Sequence, residues 1–98
     1  MSFSTNELNR ILHQPIRTQI MSHLIAHNSA DYNSIKKLFN LSDGHMTTHM
    51  RELLAYDYVR AEKLSFDNKS KTIYHITDVG RTAFTEYIKI LKKIIEFE

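Results

Sequence analysis

The stretch Leu41–Val59, LSDGHMTTHMRELLAYDYV, decides the fold of this 98-residue chain. Ser42 is a residue type that caps helix N-termini, because its hydroxyl accepts a hydrogen bond from a backbone N–H of the first turn. Behind it, Met46, Met50 and Leu53 recur at the four-then-three spacing of a single helix face. The spacing predicts a helix over Ser42–Tyr56 that leaves Asp43, His45, Thr47, Thr48 and Arg51 pointing away from the core. The exit through Tyr56, Tyr58 and Val59 is aromatic and β-branched, as a following strand requires.

Upstream, only Leu41 separates Ser42 from Asn40, a residue that tolerates the left-handed backbone with which helices often end. A preceding helix is therefore expected, capped by Asp31 and burying Ile35, Leu38 and Phe39. Two helices joined by so short a turn must cross steeply, which is a helix-turn-helix. Before them Pro15 suits a first helical turn, and Ile16, Ile20, Met21, Leu24 and Ile25 give a helix to about His27 a broad apolar face. Asn28, Ser29 and Ala30 read as a connection. Earlier still, Ser4 and Glu7 have capping-box spacing, and Leu8, Ile11 and Leu12 form a short stripe, which predicts a helix from about Thr5 to just before Pro15.

After Val59 the apolar period changes to two, with Val59 and Ala61 on one strand and Thr72, Tyr74 and Ile76 on the next. The six residues Phe66–Lys71 are expected to form the loop of this hairpin. Thr77 can cap a last helix over about Asp78–Phe97, roughly 30 Å long at 1.5 Å per residue. On it Phe84, Ile88, Leu91 and Ile95 follow a 4-3-4 spacing, and Ala83, Tyr87, Ile90 and Ile94 repeat it one residue earlier. That stripe is too wide for one contact, so part of it is expected to face a second subunit. Lys89, Lys92 and Lys93 read as a solvated face, and Tyr32, Tyr56, Tyr58 and Tyr74 as core-edge residues.

Composition bounds the function. Ninety-eight residues make one domain with one small core, which leaves no room for a deep catalytic cleft and its supporting shell. There is no cysteine, which excludes a disulfide scaffold, a thiol redox sensor and a cysteine-ligated zinc. No Gly-rich phosphate loop, Gly-x-Ser-x-Gly or His-Glu-x-x-His is present, so neither an enzyme nor a cofactor is expected. No apolar run approaches a membrane span, and MSFSTNELNR lacks the features of a signal peptide, so no membrane partner and a cytoplasmic location are expected. The formal charge of +2 is compatible with a polyanion partner without demanding one. His23 with His27 and His45 with His49 are each spaced i, i+4 and could offer two metal ligands, but no third is evident from spacing, so no metal site is assigned.

The order helix, helix, helix-turn-helix, hairpin, helix is that of a winged helix, a mainly α (α+β) fold. HQPIRTQIMSHL (residues 13–24), LSDGHMTTHMRELLAYDYV and IYHITDVGRTAF (residues 73–84) follow one another in an order that resembles the small single-domain MarR-like and ArsR-like winged-helix transcriptional regulators. The resemblance covers about Leu12–Ile88. It implies a winged helix-turn-helix with a two-stranded β-hairpin wing and a long C-terminal dimerisation helix, acting as a homodimer on double-stranded operator DNA. It places the helix Ser42–Tyr56 in the major groove, with Ser42, Asp43, Gly44, His45, Thr47, Thr48 and Arg51 at the DNA. Gly44 would let the helix start approach the duplex closely. Lys63, Asn68, Lys69 and Lys71 are implied as wing contacts to the backbone or minor groove. Leu8, Ile11, Tyr87, Ile88, Leu91, Ile94 and Ile95 are the expected dimerisation residues. Asp57 stands just past the groove-entering helix, where family members commonly have Gly.

Two other readings fit the residues. One is a winged-helix adaptor that binds a protein through its apolar stripe and touches no nucleic acid. It draws on the even balance over Ser42–Lys71 of Arg51, Arg60, Lys63, Lys69 and Lys71 against Asp43, Glu52, Asp57, Glu62 and Asp67. The other is a histidine-based metal-responsive regulator. The sequence identifies no small-molecule effector, no operator and no sign of regulation.

Overall fold

A computed structural model describes residues 8–96. These form four helices and three strands in the order α1 (Pro15–His27), β1 (Ser29–Asp31), α2 (Tyr32–Leu38), α3 (Asp43–Ala55), β2 (Val59–Phe66), β3 (Lys69–Ile76) and α4 (Asp78–Ile95). No helix among them is long and apolar enough to cross a membrane.

The helix expected before Pro15 is not found in its described part. Asn9 Oδ1 accepts from the backbone N–H groups of Ile11 and Leu12 (2.9 and 3.0 Å), and His13 N–H donates to Asn9 O (2.8 Å). An asparagine side chain that takes these donors closes a local turn in competition with a helix. Leu8 and Leu12 are buried nonetheless, and Thr5–Glu7 lie outside the described residues. Gln14 Oε1 then caps α1 by accepting from Arg17 N–H (2.8 Å), with Pro15 in the first turn, and Ile20, Met21 and Leu24 are fully buried.

The segment read as a connection after α1 is a strand. Asn28 takes φ 71°, its N–H bonds Leu24 O (2.7 Å), and β1 pairs antiparallel with β3, Ala30 opposite Tyr74. The sheet therefore has three strands in the order β1-β3-β2, and the two-stranded wing is its outer part. A three-residue strand is too short to show a period, so it is set by its partner. The stripe expected on α2 is also corrected: Ile35 is buried, but Leu38 is 56% exposed. Phe39 turns instead to meet the His23 ring edge-on (6.2 Å, 88°), and Asn40 at φ 53° redirects the chain so that Leu41 is buried.

Ser42 Oγ caps α3 by accepting from His45 N–H (3.1 Å), and Met46, Met50 and Leu53 pack inward. Its far end is a Schellman motif, with Tyr58 N–H on Leu53 O and Asp57 N–H on Leu54 O (both 3.0 Å). Asp57 holds the left-handed position at φ 60°. The wing tip is tighter than the six-residue loop expected. Phe66 pairs with Lys69, leaving only Asp67 (φ 48°) and Asn68 (φ 62°) as a two-residue turn with both central φ positive. Such a turn matches the twist of the flanking strands and favours Asn and Asp.

Thr77 caps α4, its Oγ1 accepting from Gly80 N–H (2.8 Å) while donating to Asp57 O (2.6 Å). A Cβ on Gly80 would stand 2.1 Å from Tyr58 O, so α4 lies directly on the backbone of the chain entering β2. Phe84 and Tyr87 are buried behind it.

Two substitutions test these junctions by chemical denaturation. Asp57→Gly should raise stability by about 1 kcal/mol, because glycine adopts the left-handed backbone without the Cβ penalty. Gly80→Ala should lower it by about 1–3 kcal/mol or more, because the obstructing atoms belong to backbone that cannot rotate away.

Candidate nucleic-acid interface

On α3, Gly44, Thr48, Arg51 and Ala55 form an exposed outer row at the spacing 4-3-4, flanked by exposed His45 and Thr47. Three of the four are small, so the helix backbone is accessible from this side, and a Cβ at Gly44 would meet only Ser42 Oγ, at an ordinary 3.9 Å. Arg51 forms no ion pair among the described residues, with Glu52 and Asp57 included. It borders an open, mostly apolar groove of about 530 Å³ lined by Tyr32, Thr47, Met50, Arg51, Leu54, Ala55 and Tyr74.

Asp43 is held from α2. Its Oδ1 accepts from Tyr32 Oη (2.7 Å) and pairs with Lys36 Nζ (2.8 Å), while the side chain stays 73% exposed. These donors, Lys36 first, keep the carboxyl below its ordinary range, and the bond to Asp43 pushes the Tyr32 hydroxyl up to about 12. Thr47 Oγ1 donates back to Asp43 O (2.9 Å), so its lone pairs are turned outward. Ser42 is committed to its cap.

His49 is half-buried behind the outer row, its Nδ1 3.2 Å from an Arg17 guanidinium nitrogen. Arg17 is an obligate donor, so His49 accepts at Nδ1. Arg17 also donates through Nε to Ile11 O (2.6 Å), so one side chain ties the N-terminal turn to α3 through α1. Burial, then the Arg17 charge, then His45 lower the His49 pKa.

In the wing, strand alternation places Lys63 on the face that carries Tyr74, and Lys69 and Lys71 on the opposite face, with Asn68 at the tip. The four implied wing residues are all exposed but do not share one surface. His75 Nε2 and Glu62 Oε1 pair across the strands at 2.8 Å.

Of the residues expected at a dimer contact, Leu8 and Tyr87 are buried within the single chain, Tyr87 at 3% exposure and bonded to His13 Nδ1 (2.9 Å). Ile11, Ile88, Leu91 and Ile94 are half-buried, and Ile95 is 67% exposed. The histidine pairs do not converge with further ligands: His27 Nδ1 lies 2.9 Å from His23 O, His49 faces Arg17, and no group of three or more His, Cys, Asp or Glu among the described residues could hold a metal.

The braces on Asp43 and His49 were not anticipated from the sequence. Tyr32 and Lys36 lie on α2, across a turn from Asp43, and Arg17 lies 32 residues from His49, so no single helix's period relates them.

Residues 16–95 match the family described as a winged helix DNA-binding domain, and the chain belongs to that family. It is a family of transcriptional regulators and not of enzymes. An uncharacterized protein of Methanocaldococcus jannaschii is 32% identical over 79 residues, 81% of this chain and 86% of its own length. The structure of a transcriptional regulator homologue from Pyrococcus horikoshii superposes with a TM-score of 0.84 at 30% identity, covering 90% of this chain and 87% of that one. An ArsR family transcriptional regulator shares the fold at a TM-score of 0.63 and 17% identity, covering 100% and 99%.

The His49 environment gives a pH dependence of defined sign. Its folded pKa lies below the ordinary 6.5, so its neutral form is the one the fold stabilises. That contribution is fully present above 6.5 and is lost as pH falls through the folded value. Denaturation midpoints should fall on acidification below pH 6.5, and less steeply for His49→Gln, which keeps an acceptor for Arg17 without titrating.

Proposed function

We propose that this protein is a homodimeric, sequence-specific regulator of transcription that binds double-stranded DNA in the cytoplasm, the whole chain acting as one winged-helix domain. The outer row of α3 enters the major groove, and the wing reaches the backbone or minor groove. The observation that carries the reading is the uncovered, small-residue outer row with Arg51 as its one long cationic reach. A recognition helix needs such a surface to bring its backbone near base edges. Arg51 grips guanine O6 and N7 or a phosphate through its planar fork. Thr47 and Thr48 offer hydroxyls and methyls to the same edges.

The partner for the apolar stripe is a second copy of the chain. Exposed Ile95 with half-buried Leu91 and Ile94 form the outer end of the α4 stripe, and burying their remaining surface against the twofold mate removes that area from water. The twofold pair must then present its two α3 helices about 34 Å apart, one turn of duplex.

Titrating labelled duplexes selected from fragmented genomic DNA, at two salt concentrations, tests the reading. Saturable binding with a shallow salt slope is expected, because Arg60, Lys63, Lys69 and Lys71 can neutralise few phosphates. Absence of binding would leave the protein-binding adaptor in its place. Arg51→Ala should weaken operator binding by about 1–3 kcal/mol, and unchanged affinity removes Arg51 from the site. Leu91→Glu combined with Ile95→Glu should give a folded monomer by sedimentation with operator binding lost. A wild-type protein that sediments as a monomer overturns the dimer.

A further inference from the structure

We propose that Asp43 reads a cytosine: its carboxylate accepts a hydrogen bond from the exocyclic N4 amine in the major groove, positioned for that task by Tyr32 and Lys36 of α2. The inference rests on α3 being the groove-entering helix and adds the identity of one base.

The geometry is asymmetric. Both α2 donors converge on Oδ1, the Tyr32 hydroxyl at 2.7 Å and the Lys36 ammonium at 2.8 Å. The carboxylate side chain is nonetheless 73% exposed, so it keeps acceptor capacity toward solvent. Asp43 is the first residue of a 13-residue helix, and the N-terminal residues of recognition helices are the ones that meet base edges. An acidic side chain there suits the helix N-terminus and is tied to α2, but it repels phosphates, so at a DNA surface it favours sites that offer it a further donor. Held ionised, it is an acceptor and nothing else.

The major groove exposes two exocyclic donors, adenine N6 and cytosine N4. Adenine N6 lies beside N7, an acceptor that would face the lone pairs of the approaching carboxylate. Cytosine offers a C–H on that flank, so cytosine is the matched base. Guanine O6 and N7 and thymine O4 are acceptors and are rejected by like-sign repulsion, which is discrimination by a penalty on the wrong partner. Two anchors on Oδ1 restrict the side chain before binding, so less rotamer freedom is lost on contact than for an unbraced surface aspartate. Lys36 also offsets part of the repulsion between Asp43 and the phosphates.

The test is selection of duplexes from a random library by the intact chain and its variants. Wild type should select half-sites with one invariant cytosine that becomes degenerate for Asp43→Ala while the rest of the site is kept. Asp43→Asn, nearly identical in shape, should shift that position toward adenine, whose N6 and N7 match an amide. With wild-type protein, N4-methylcytosine at that position should weaken binding about tenfold or more, and Asp43→Ala should be indifferent to the modification. Tyr32→Phe should give a smaller loss at the same position only. If wild type and Asp43→Ala select the same site, or the modified base is harmless, the cytosine assignment is wrong while the regulator reading stands. If wild type selects no sequence at all, the regulator reading itself fails.

Discussion

The structure depends on a junction of a few backbone groups at which four elements meet. Thr77 donates from Oγ1 to Asp57 O, accepts there from Gly80 N–H, and donates its own N–H to Tyr58 O (3.1 Å). These bonds join the end of α3, the start of β2, the end of β3 and the start of α4. Gly80 lets α4 rest on the Tyr58 carbonyl with no side chain between them. The contact is backbone to backbone, so it fixes an angle rather than filling a space, and small changes cannot be absorbed by rotamers. For a regulator that works as a twofold pair, the angle between α3 and α4 converts dimer geometry into groove spacing. In the homodimer we propose, the junction therefore links fold to function more directly than the core does.

Around that junction, the chain repeatedly uses Asn and Asp where backbone must turn left-handed. Asn28, Asn40, Asp57, Asp67 and Asn68 all have positive φ, and neither glycine does. Each such position ends a helix or makes the wing turn. At Asn28 the side chain is also used, since its Oδ1 accepts from the Arg81 guanidinium and so ties the end of α1 to α4. Glycine is kept for other reasons: close packing at Gly80, and an unobstructed surface at Gly44.

The parts of the fold that were legible in the sequence share a physical trait. The caps Ser42 and Thr77 sit next to apolar residues spaced at the helical period, so local chemistry and core burial give the same signal. Where these two sources separate, reading the sequence fails. Leu8, Ile11 and Leu12 are spaced as on a helix, but in this described part Asn9 captures the backbone donors that a helix would need. Lys69-Ser70-Lys71 is strand on both sides of the pleat, yet every residue is exposed, so no alternation marks it. Ser29–Asp31 becomes a strand only because β3 offers it an edge. The outward set on α3 followed from the inward one. The fixing of Asp43 by Tyr32 and Lys36 did not, because contacts across a helix-turn-helix depend on a crossing angle that spacing does not encode.

Charge supplies the last constraint on how such a surface could act. Over Ser42–Lys71 cations and acids balance, so release of counterions from phosphate can contribute little to affinity. A protein of this kind gains little from sliding on arbitrary duplex and must draw its binding free energy from the match at the groove floor. In the complex we propose, the small outer row serves that end, since Gly44, Thr48 and Ala55 would let the helix sit deep enough for short side chains to reach base edges. At that depth a fixed carboxylate is costly against most sequences and favourable against few. A weakly basic surface carrying a braced acid is therefore consistent with selectivity obtained by rejecting wrong sites rather than by gripping all of them.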